Sequence, residues 1–326
     1  MSFKIEVDFA PVYECVTSLT AFFNKQSHGS IDAGKTWVRE VQDLFAPVSL
    51  YKMRDTVKLL SDFSLSPFIW KCPAPRTVSG FLDWFEGLSM GQLFDISAAC
   101  GQTVPSNLAE LRNLASEVLR EWDLRYFCRI DSRILEGLQQ EAVSLNSRLH
   151  ETDSMEIYEQ ATGGMRLYPG EELKQVVLTP QYHYRPLVTS SFFDSIVFTS
   201  YSCDLFPEAP GYPSPSLLRL TKALSDETRL RILHLLSRKR MTFTEIVREI
   251  ALSKSTIHYH LIALRAAGLI VVHYHTKYLE SKSVEYSLRG EAVNSLPLQI
   301  NAYLRHNAPA RMDTEEQGGV CEKAKA

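Results

Sequence analysis

The chain has 326 residues, 45% of them hydrophobic and 22% charged, with a formal net charge of −3. This balance excludes a mainly disordered chain, which would lack the apolar residues to bury, and the length allows two domains. The opening MSFKIEVDFA alternates charged and apolar side chains, so it reads as neither a signal peptide nor an anchor, and no apolar run is long enough to span a bilayer.

In chain order, Phe3, Ile5, Val7 and Phe9 alternate with polar residues as a strand does. Apolar residues at helical spacing then predict helices over 11–24, 32–46, 49–62, 106–127 and 130–149, the fourth carrying Leu108, Leu111, Leu114, Val118 and Leu119 on one stripe. Val176-Val177-Leu178 and Ile196-Val197-Phe198 read as two short strands. Residues 1–205 therefore predict a mostly helical N-terminal domain with a short sheet, suited to sensing or dimerisation. Its large aromatics, Trp37, Phe68, Trp70, Phe81, Trp84, Phe85, Trp122, Tyr126 and Phe127, read first as core packing and second as the lining of an effector pocket. Pro207, Pro210, Gly211, Pro213 and Pro215 make 206–216 a stiff connector. A second domain follows over 217–307, and polar, aperiodic 308–326 reads as a disordered tail.

Gly29-Ser-Ile-Asp-Ala-Gly34-Lys35-Thr36 fits the letters of a phosphate-binding loop and raises the alternative of an NTPase carrying an appended winged helix. That chemistry needs a buried strand entering the loop and a helix leaving it. A helix does leave, but Val12, Cys15, Val16, Leu19, Phe22 and Phe23 place a helix before it as well. The expected role is an ordinary helix N-terminus capped by Ser30 or Asp32.

The net charge hides an asymmetry. Residues 216–290 hold 13 Lys and Arg against 6 Asp and Glu, whereas the remainder holds 22 against 32. A basic unit on an acidic body points to nucleic acid. Within it, Ser225 caps a helix that buries Leu230, Leu233 and Leu236, with Asp226 and Glu227 in its first turn. Thr242-Phe-Thr-Glu245 is a capping box for a short helix, and Ser253 caps a third over 254–267 that stops at Gly268. At about 100° per residue, Ile257, Leu261 and Leu264 fall on the buried side of that third helix. Ser255, Tyr259 and Ile262 point away, with Thr256 and His258 at the flanks. Such a helix suits the major groove, its hydroxyls and ring donor reaching base edges. Leu269–Val272 and Val284–Leu288 form a hairpin, the wing, with Lys277 and Lys282 near its tip for phosphate.

The strings ALSDETRLRILHLLS and LSKSTIHYHLIALRAAGLI, followed by a hairpin ending VEYSL, resemble the ArsR family of bacterial winged-helix regulators over roughly 217–290. The resemblance implies a homodimer on an inverted-repeat operator, read by the helix that opens at Lys254. By position it assigns DNA contacts to Lys254, Ser255, Thr256, His258 and Tyr259, and His260-Leu261 matches the family's His-Leu pair. Tyr259 stands where many members carry Arg or another polar residue, so a phosphate contact there is weakened. The long N-terminal part is similar to ArsR-type regulators with an added upstream domain.

Many ArsR relatives sense metals through Cys-x-Cys on the helix before the reading helix, but here that helix is TFTEIVREI. His258 and His260 lie about 200° apart and cannot share an ion, while His273 and His275 share a strand face yet are only two ligands. No metal, no cofactor and no catalytic constellation is expected. The six cysteines (15, 72, 100, 128, 203 and 321) lack a C-x-x-C pair and read as free thiols of a reducing cytoplasm, with Cys203 the one candidate for reactivity. The expected fold is mainly α with small β elements. The expected protein is a cytoplasmic, dimeric, sequence-specific regulator of transcription, more a repressor than an activator, with double-stranded DNA as partner, room for a small-molecule effector and no membrane partner.

Overall fold

The structure, a computed structural model, describes residues 3–60, 63–149, 151–168, 173–206, 211–275 and 284–306. The expected tail over 308–326, residues 207–210 of the connector and the wing lysines Lys277 and Lys282 lie outside them.

Strand β1 (Lys4–Val7) leads into α1 (Pro11–Phe23), which opens on a proline whose missing N–H would have been unpaired there anyway. Then come α2 (Gly34–Gln42), α3 (Pro47–Leu59), α4 (Ser66–Lys71), α5 (Val78–Gly87), α6 (Met90–Cys100), α7 (Leu108–Arg125), α8 (Ser132–Arg148) and α9 (Ser154–Ala161). The five helices expected from periodicity correspond to α1, α2, α3, α7 and α8. Helices α4, α5, α6 and α9 are shorter than most of those, so few periodic positions announced them, although Ser89 and Gln92 close a reciprocal capping box on α6. Phe68, Phe81, Phe85 and Trp122 are fully buried, and Trp122 Nε1 donates to Ser18 Oγ at 2.9 Å. These aromatics build the helical core rather than a pocket.

Beyond β2 (Met165–Tyr168), β3 (Gln175–Gln181), β4 (Thr189–Phe192) and β5 (Ile196–Ser202) join β1 in a sheet of order β1-β3-β5-β4. β1, β3 and β5 run parallel in the register Ile5↔Val176↔Val197, and β4 closes the edge antiparallel. Central β3 is buried on both faces, which explains its unbroken Val-Val-Leu run.

The C-terminal unit comprises α10 (Pro215–Leu224), α11 (Glu227–Leu236), β6 (Met241–Thr242), α12 (Phe243–Ile250), α13 (Lys254–Ala266), β7 (Ile270–His275), β8 (Glu285–Leu288) and α14 (Gly290–His306). Its sheet, of order β2-β7-β8-β6, takes a strand from before the connector: β2 pairs parallel with β7, Met165 opposite Val272. The 206–216 segment therefore divides the chain without dividing the sheets. An exposed edge on β7 would invite pairing with another chain, and β2 covers it.

Two further contacts clamp the units together. Arg219 of α10 reaches Asp32 at 2.7 Å and Asp204 at 2.5 Å, and Arg289 lies 3.7 Å from Glu159. Burial pushes the thiols of Cys15, Cys72, Cys100 and Cys203 up, which opposes thiolate chemistry at Cys203.

Candidate nucleic-acid interface

The helix-turn-helix is α12 and α13 braced by α11. Asp226, not Ser225, caps α11, accepting from Arg229 N at 2.9 Å; Ser225 closes α10 instead. That backbone N–H holds the Asp226 carboxyl below the usual carboxylate range. On α12, Thr242 Oγ1 accepts from Glu245 N at 3.3 Å while Glu245 Oε2 accepts from Thr242 N at 2.8 Å, the reciprocal cap expected from TFTE. The tight turn into α13 passes through Ala251 at φ 58°, where a short side chain limits the left-handed penalty. Ser253 then caps α13, accepting from Thr256 N at 3.2 Å.

α13 buries Ile257, His260, Leu261 and Leu264. The His260-Leu261 pair is thus part of the support of the helix, with His260 Nδ1 3.6 Å from Asp226. Lys254, Ser255, His258 and Tyr259 face solvent and Thr256 is half-buried; Tyr259 is 59% exposed. The Ser253 hydroxyl links Ser255 at 2.9 Å and Thr256 at 2.7 Å, so donors for phosphate or base edges are held at the first turn. Leu230 departs from expectation: it is exposed, beside His234 and Ile250, because α11 turns Ile232 inward in its place.

Ile262, which points outward in the sequence reading, faces a groove of about 150 Å³ whose opposite wall is Gly29, Ser30, Asp32 and Pro186. Gly29–Thr36 follows helix α1 and a series of turns, with no strand entering it, and its first residues stand against α13. The part of α13 open to a duplex is therefore its N-terminal two turns. Periodicity could not show this, because the wall comes from residues distant in sequence, the nearest of them Pro186 and the rest near the N-terminus.

The wing strands also differ from the expected free hairpin. His273 is buried, with Tyr168 Oη 3.0 Å from Nδ1 and Ser287 Oγ 2.8 Å from Nε2, so both ring nitrogens are engaged in hydrogen bonds. His275 stacks on the Tyr168 ring at 4.7 Å, and the Arg240 guanidinium sits over that ring at 5.6 Å from its centroid. Among the described residues no group of three or more His, Cys, Asp or Glu could hold a metal ion. Burial, with Arg240 and Arg166 adding to it, pushes the His273 pKa from 6.5 down to about 4. Between those values the unfolded chain binds a proton that the folded chain refuses, so stability falls as pH drops through this window. Thermal midpoints measured from pH 7 to pH 4 should decline more steeply for the native chain than for His273→Gln.

No helix among the described residues is long and apolar enough to cross a membrane. No curated protein and no solved structure matches the chain. Residues 226–271 match the family model described as bacterial regulatory protein, arsR family, which marks the α11–β7 segment as an ArsR-type helix-turn-helix domain.

Proposed function

We propose that this DNA-binding regulator is a cytoplasmic repressor that binds an inverted-repeat operator as a homodimer and works by binding alone, without a cofactor or a catalytic step. The observation that carries the reading is the solvent-facing row of Lys254, Ser255, His258 and Tyr259 on a helix anchored from behind by Ile257, Leu261 and Leu264. A helix held that way inserts as a rigid unit, with phosphate contacts setting its register and side chains at its first turns reading bases. Thr256 joins these contacts, and Lys277 and Lys282 supply the wing's grip on phosphate. Self-association is supported by the apolar side chains that α10 and α14 leave exposed, Leu218, Val293, Leu298 and Leu304. The N-terminal unit senses a signal and passes it to α13 and the wing through the shared sheet and the Arg219 clamp.

Selection of bound duplexes from random DNA tests the proposal, with complex mass giving the protomer count. Tyr259→Ala and Ser255→Ala should each change the preferred bases, by about 1–3 kcal/mol at the contacted position. Lys277→Ala should weaken all sequences about equally and lower the salt slope by about one. Selection that enriches no sequence at physiological ionic strength would end this reading.

A further inference from the structure

A cavity of about 520 Å³ opens in the N-terminal unit between α1, α4, the segment after α3 and strand β4. Its size is that of pockets that take small organic ligands. Among the described residues lining it there is no Asp, Glu, Lys, Arg or His; the surface is mostly apolar, from residues such as Val16, Leu60, Phe63 and Ile69, and the rest of the lining carries hydroxyls, Thr17 and Ser191 among them. An ion placed there would lose its hydration with no partner of opposite charge among the described lining residues, whereas a neutral molecule loses little. Hydroxyls can donate to or accept from a carbonyl or hydroxyl of such a guest.

One wall of the cavity touches the DNA-binding unit. Phe192 lines the cavity, and its ring lies 5.6 Å from the ring of Tyr274 in wing strand β7. On another side Tyr184, also in the lining, belongs to the same loop as Arg185, which pairs with Asp32 and Asp204, the two carboxylates held by Arg219. A guest that shifts Phe192 or Tyr184 therefore acts on the wing and on the clamp between the units.

We propose that this cavity binds a neutral, largely apolar small molecule bearing a carbonyl or hydroxyl group, and that its occupancy is transmitted to the wing through the Phe192–Tyr274 contact. The binding half stands alone; the transmission half rests on the DNA-binding reading above.

Nile red, an uncharged fused-ring dye with a carbonyl, is the probe, and anilinonaphthalene sulfonate is its anionic counterpart. With the full chain and no DNA, Nile red fluorescence should saturate at one dye per chain, with the anionic dye binding at least tenfold more weakly. Thr17→Phe and Ser191→Phe fill the cavity from opposite walls, and each should weaken Nile red at least tenfold while the far-ultraviolet circular dichroism stays native. An anionic dye that binds as tightly as Nile red, or Nile red binding unchanged in whichever of these variants folds, would overturn the site. Saturating Nile red should then shift the affinity for the selected duplex at least fivefold in the native chain. In Tyr274→Ala the dye should bind and the shift vanish. An unshifted affinity in the native chain would overturn transmission. If no duplex is selected at all, the DNA-binding reading and transmission fall together, and the dye titrations still decide the cavity.

Discussion

Glu14→Ala is expected to destabilise the protein by about 3–5 kcal/mol, because three buried hydrogen-bond donors lose the carboxylate that satisfies them. Glu14 is fully buried on α1 and accepts from His183 N at 2.8 Å, from His183 Nδ1 at 2.5 Å and from Tyr182 N at 3.1 Å. The chain continues outward, since His183 Nε2 lies 2.6 Å from Tyr126 Oη, which in turn accepts from Trp37 Nε1 at 2.8 Å. With the proton on Nδ1, Tyr126 donates to Nε2 and every polar atom in the series is paired. Alanine would leave two backbone N–H groups and a ring nitrogen without partners in a dry interior, and each loss costs about 1–3 kcal/mol. Glu14→Gln keeps one acceptor oxygen and should recover part of the loss. Denaturant titrations of the three proteins measure the difference; equal midpoints for the native chain and Glu14→Ala would show that water replaces the carboxylate. The loop this network holds carries Tyr184 and Arg185, so Glu14→Ala should also loosen the clamp on Arg219 before the whole protein unfolds.

The second large effect is expected at the seam between the units. Gly164 has φ 118°, and a Cβ placed there would stand 2.6 Å from the carbonyl oxygen of Ile270. Its own carbonyl accepts from Val272 N at 2.7 Å, so the glycine opens the ladder between β2 and β7. Neither backbone can retreat without breaking that ladder, and Gly164→Ala should cost about 2–4 kcal/mol from steric overlap and left-handed strain together. Neighbouring Gly163 has φ 65° and nothing within 4 Å of a built Cβ, so Gly163→Ala carries the strain alone and should cost about 1 kcal/mol. Hydrogen exchange at Val272 reports the seam directly. Comparable exchange in the two variants would mean that β2 is not packed against β7 closely enough to tie the units together.

Much of the C-terminal unit was legible in the sequence because its determinants are local. The TFTE cap, Ser253 and the spacing of Ile257, Leu261 and Leu264 act within one or two helical turns, and they recur in the structure as expected. Lys254, Ser255, His258 and Tyr259 are exposed for the same reason. Leu230 and the cap of α11 differ because neighbouring residues there, Leu230 or Ile232, Ser225 or Asp226, satisfy the same local pattern, and packing chose between them.

The sequence by itself determined the helix-turn-helix, the Val-Val-Leu strand and the helical character of the N-terminal part, since hydrophobic period and capping chemistry are written along the chain. Only the tertiary structure decided that β2 crosses to the wing, that Gly29–Asp32 stands against α13, and that Phe192 lines a cavity and also meets Tyr274. These depend on pairs separated by about eighty residues or more, whose meeting is set by the competition of whole surfaces for burial and of strand edges for partners, and no local period records that outcome.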